Sequence, residues 1–82
     1  MGVVTAWNDN FGLRWYDNSK KLSAEDKIRE AVWQYQSLIG GDPMYCVVNS
    51  ATGYKNNMML LGLTIRVRDD IVKPNYFWLK GD

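Results

Sequence analysis

Arg66, Arg68, Tyr76, Trp78 and Lys80 fall at alternate positions of two short segments near the end of the chain, "LTIRVR" and "YFWLK". Successive side chains on a strand point to opposite faces, so each segment has an apolar face and a polar one. If the two strands pair with Val67 opposite Phe77 and Ile65 opposite Leu79, then Leu63, Ile65, Val67, Phe77 and Leu79 share the core face. Arg66, Arg68, Tyr76, Trp78 and Lys80 then share the other, as a stripe of alternating cations and rings. Such a stripe could bind single-stranded nucleic acid, with bases stacked on Tyr76 or Trp78 and phosphates met by the arginines. It could equally be held by a cross-strand contact of Arg66 over Trp78, which contributes about 0.5–1 kcal/mol on an exposed face. Asp69 and Asp70 sit beside the arginines and no RNP-type signature is present, which favours the structural reading.

Other chemistry is thinly represented. The chain has no histidine, which removes Ser-His-Asp and Cys-His activation, imidazole metal ligands and the commonest general base. The one cysteine, Cys46, lies in an apolar stretch with no cationic neighbour and reads as a small buried hydrophobe. Adjacent carboxylates on a strand diverge, so Asp69-Asp70 reads as a solvated turn and not as a metal pair. "GGDP" and "ATGYKNN" lack phosphate-loop spacing. We expect a non-enzymatic protein that needs no cofactor and no metal.

One helix must help to position the stripe. Ser23 is its N-cap, Asp26 stands where a capping-box acid would, and Glu25 and Asp26 suit the positive end of the helix dipole. Ile28, Ala31, Val32, Tyr35, Leu38 and Ile39 keep helical spacing until Gly40-Gly41 and Pro43, which predicts a helix over 24–39. At 100° per residue from Ile28, Trp33 falls near 140°, outside the apolar stripe. It should therefore be covered by Trp7, Phe11 and Trp15 of the N-terminal segment, or anchor a contact with another chain.

"PMYCVVNS" is apolar on both faces and predicts a central strand. "SATGYKNNMMLLG" is ambiguous, with Ser50 as a cap for a short helix. Residues 63–67 and "YFWLK" are strands around the loop "DDIVKPN", and "VVTAW" and "FGLRWYD" suggest a hairpin. The expected class is α+β: a small, mostly antiparallel sheet with one amphipathic helix on one face, in a single domain spanning 1–82.

At 82 residues the chain has room for one modest core. Ten basic residues against nine acidic give a net charge of +1, too little for strong long-range attraction to nucleic acid or anionic lipid. There is no basic leader followed by an apolar stretch and no apolar run of membrane-spanning length. A soluble protein of a host cytoplasm or a virion is expected.

From residue 43 onward, "PMYCVVN", "TGY", "LLGLTIRVRD" and "FWLK" follow an order similar to a segment of tailed-phage major capsid proteins and of small prophage-encoded proteins, and the preceding helix, Ala24 to Ile39, fits the same order. The chain is far shorter than a shell subunit, so the resemblance implies a phage-like origin and virion association and transfers no site residue. Together these features predict a protein that acts by contact, binding a protein partner or itself through a strand edge and an aromatic anchor such as Trp33 or Trp78. The alternative is a nucleic-acid module built on Arg66, Arg68, Tyr76, Trp78 and Lys80.

Overall fold

A computed structural model describes residues 2–81. The helix, α1, runs Ala24–Leu38, and Ser23 Oγ accepts a bond from the Asp26 N–H at 3.1 Å. Ile39 and Gly40 both donate to the Tyr35 carbonyl, and Gly40 and Gly41 at φ 87° and 74° turn the chain away. The helix thus ends one residue before the expected boundary. It buries Ile28, Ala31 and Tyr35, and Arg29 on its outer side bonds both Glu25 and Asp26.

Six strands form one sheet: β1 Val3–Asn8, β2 Gly12–Tyr16, β3 Tyr45–Val48, β4 Met59–Leu60, β5 Leu63–Val67 and β6 Tyr76–Lys80. Their order is β1-β2-β6-β3-β5-β4, antiparallel except where β3 meets β5. The expected α+β class and the expected N-terminal hairpin are both present. Asn8 Oδ1 closes that hairpin by accepting from the Asn10 and Phe11 N–H groups. The ambiguous segment forms a 3₁₀ turn, Ser50–Thr52, capped by Asn49 rather than Ser50, and then β4.

One pairing differs from expectation. β5 and β6 are not neighbours, because β3 lies between them. Cys46 stands opposite Ile65 on one side and Leu79 on the other, and Val48 stands opposite Val67 and Phe77. The expected rows survive with one residue interposed. The cause is the composition of β3: Cys46, Val47 and Val48 are all buried, so this strand gains most from a neighbour on each side.

Because β2 and β3 both run antiparallel to β6, they are parallel to each other and flank it. Parallel strands need a long crossover, which α1 supplies, so β2-α1-β3 is a split β-α-β unit with β6 in the gap. The helix packs over β2 and β6. Gly12 makes the close approach of β2 to β6 feasible: it sits at φ 93°, and a Cβ there would lie 2.1 Å from the Leu79 carbonyl oxygen.

The turn from β4 to β5 consists of Leu61 and Gly62, both at positive φ (53° and 77°), with Leu60 paired to Leu63. Two positive-φ residues define the hairpin turn in which Asn-Gly is favoured, and a leucine in the left-handed region is strained by roughly 1–2 kcal/mol. Leu61 is also exposed, so little packing offsets that strain. Leu61→Asn should raise unfolding stability by about 0.5–1 kcal/mol, read as a higher urea midpoint at unchanged slope. A lower midpoint would mean that the leucine side chain contributes more than its backbone strain costs.

Candidate functional site

The helix covers one face of the sheet and leaves the other open. Leu13, Trp15, Phe77, Leu79, Cys46, Val48, Leu63 and Ile65 point toward α1 and are buried. Strand alternation therefore sends Arg14, Tyr16, Tyr76, Trp78, Lys80, Tyr45, Val47, Thr64 and Arg66 to the opposite side. The strand register sets Ala6, Arg14, Trp78, Val47 and Arg66 in one row across five strands. Lys80, Tyr45, Thr64 and Met59 form a neighbouring row, and Tyr16 pairs with Tyr76 on the other side with ring centroids 4.7 Å apart.

Trp78 is the hub of this face. The Arg14 guanidinium lies 4.6 Å from its ring centre and the Lys80 ammonium 4.8 Å. Its indole N–H donates to the Phe11 carbonyl at 2.5 Å, which fixes the ring plane. The sequence reading placed Arg66 over Trp78, but Val47 of β3 separates them. Arg66 instead lies 5.6 Å from the Tyr45 ring centre and donates to Asn57 Oδ1. Arg14 occupies the position expected for Arg66.

Of the six residues expected to contact a partner, five converge. Arg66, Arg68, Trp78 and Lys80 rim a depression of about 550 Å³ floored by Val47, and Tyr76 and Trp78 border a second of about 270 Å³ with Arg14 and Lys73. No carboxylate lines either one. Arg68 is tied to Asp70 by bonds of 3.0 and 2.8 Å, and that pairing holds the Asp70 carboxyl below its ordinary range. Asp69 turns away to accept from the Ser50 hydroxyl and N–H at 2.6 and 2.7 Å, bonds that lower its pKa. The two acids thus take separate partners, as expected of a turn. Among the described residues, Arg14, Arg66, Lys73 and Lys80 form no ion pair.

Trp33, the sixth, stands apart on the outer side of α1 and is 64% exposed, beside Leu22, Asp26, Arg29 and Glu30. The expected cover from the N-terminal segment is absent because those aromatics are used elsewhere. Trp15 is in the core, Phe11 lies under the Arg14 guanidinium, and Trp7 is on the edge strand and itself exposed. Sequence reasoning missed Arg14, Tyr16 and Tyr45. The alternation of Leu13 and Trp15 with Arg14 and Tyr16 carried the signal for two of them, but the docking of β2 against β6 did not follow from it.

Among the described residues, no group of three or more acidic or cysteine side chains could hold a metal, and no helix is long and apolar enough to cross a membrane. Comparison with known protein families, with curated proteins and with solved structures returned no match.

Cys46 is fully buried in β3, and burial pushes its thiol far above the ordinary range. The thiolate needed for alkylation is therefore scarce, and the sulfur is out of reach. The native protein should resist a thiol reagent at pH 8 and react fully in urea. Native-state labelling at the rate of a free thiol would contradict this placement.

Proposed function

We propose that this chain is a non-enzymatic binding domain whose open sheet face takes a short stretch of single-stranded nucleic acid. One observation carries the reading: Arg14 and Lys80 stand opposite Trp78 and Tyr45, and Arg66 lies 5.6 Å from the Tyr45 ring centre, while Glu25, Asp26 and Glu30 are carried by the helix on the other face. A net charge of +1 therefore conceals a basic surface, and the argument from charge balance against phosphate binding loses its force.

The side chains divide the work. Trp78 is already flanked by two cations, so it positions them instead of offering a bare ring. Bases stack on Tyr76 and Tyr45, whose faces are less occupied, and phosphates meet Arg14, Arg66 and Lys80. The four strands from β2 to β5 span about 15 Å at normal strand spacing, enough for two or three bases.

Titration with a single-stranded oligonucleotide across a salt series tests the reading. With three phosphates contacted, log K should fall against log salt with a slope of about −2. Arg66→Ala should lower the slope by about 0.7, and Tyr76→Ala should weaken binding by about 1–3 kcal/mol. Binding that ignores salt, or is equal in both variants, would overturn it.

The exposure of Trp33 supports a second reading, a protein contact on the helix side, in a host cytoplasm or in a phage-like particle as the resemblance of residues 24–80 suggests. If that contact is between copies of this chain, light scattering should report a mass that rises with concentration, and Trp33→Ala should abolish the rise. A monomer at every concentration would remove self-association from this reading.

A further inference from the structure

Two surfaces on opposite sides of the domain complement each other. The helix side carries Trp33, 64% exposed, beside a hollow lined also by Leu22, Asp26, Arg29 and Glu30. Glu25 and Asp26 share Arg29 at 2.9 and 3.2 Å, and among the described residues Glu30 forms no ion pair. Three carboxylates against one guanidinium leave this patch negative. Lys27 is buried, and Lys20 and Lys21, ahead of the helix, do not line the hollow.

The sheet side has the opposite character. Its depression of about 550 Å³ has Val47 for a floor, the Tyr45 and Trp78 rings for walls, and Arg66, Arg68 and Lys80 at the rim, with no carboxylate in the lining. Arg68 is neutralised by Asp70, while among the described residues Arg66 and Lys80 have no acidic partner. A ring entering this hollow gains apolar contact at the floor and cation–π contact at the rim, and acids beside it meet the two cations. Trp33 with Asp26 and Glu30 is such a group. It cannot reach the depression of its own chain, because α1 packs on the buried face and the sheet lies between.

We propose that the open sheet face of one copy of this chain receives the Trp33 side of the helix from a second copy. This rests on the reading in which Trp33 joins copies of the chain, and it makes that contact head-to-tail. Two different surfaces meet, so each added copy leaves one helix side and one sheet face free, and the contact does not close on itself as a twofold dimer does. The charges that bring the copies together make the contact salt-sensitive. Nucleic acid and a second copy take the same face and exclude each other.

Sedimentation velocity on the full chain over a concentration series, at low and at high salt, tests it. The mass should rise past twice that of the monomer without levelling, and fall again as salt is added. Trp33→Ala removes the ring from every contact and Arg66→Glu sets like charges against each other, so either variant alone should associate about tenfold or more weakly. Both positions are exposed, so the variants should melt with the parent. Mixed in equal amounts, the two should recover association as a pair and stop there, because the Trp33→Ala copy keeps a whole sheet face and the Arg66→Glu copy a whole helix side. A mixture that stays monomeric would overturn the head-to-tail contact. So would a parent mass that levels at twice the monomer with Arg66→Glu associating as well as the parent, a result that makes the Trp33 contact twofold and leaves self-association standing. A monomer at every concentration would overturn both.

Discussion

Leu13, Leu79, Cys46 and Ile65 form a continuous row across β2, β6, β3 and β5, and none of the four is exposed to solvent. Each such aliphatic side chain contributes roughly 1.5–3 kcal/mol when fully buried, so the row is a large fraction of what holds a domain of this size together. Slipping any one strand by a single residue would turn its member of the row to the solvent side. Register is therefore fixed by the core, and the composition of the uncovered face follows from it. Arg14, Trp78 and Arg66 are where they are because Leu13, Leu79 and Ile65 must lie under the helix.

The separation of charge follows from the same geometry. Acids that favour the N-terminal turn of a helix are carried away from the sheet's uncovered side by the helix itself, and the cations of β2, β5 and β6 gather there because the core excludes them. An even balance of acidic and basic residues in the composition says nothing about this arrangement. Only the fold reveals it.

Much of the architecture was legible in the residues. The capping serine, the glycine pair and the apolar spacing located α1 almost to the residue, and alternation assigned the correct face to Phe77, Leu79, Leu63 and Ile65. Strand order was not legible, because alternation reports which way a side chain points and not which strand lies next door. β3 advertised a central place through its unbroken apolar run, yet the loop of residues 68–75 read as readily as a hairpin connection as the longer step over β3. The candidate surface was foreseen in kind and altered in membership: Arg14 and Tyr45 entered once β2 and β3 were seen to flank β6. The fate of Trp33 turned on where Trp7, Phe11 and Trp15 were used, which is a tertiary matter that no local pattern encodes.

β6 follows every other strand in the sequence, yet it occupies the middle of the sheet. On a ribosome, β2 and β3 emerge long before the strand that must lie between them, so the nascent chain carries two half-sheets with facing, unsatisfied edges. Each half buries too little apolar surface to persist alone, and the long-range closure is entropically slow. Assembly therefore waits for "YFWLK", and a chain cut just before Tyr76 would lose its centre and not merely a margin.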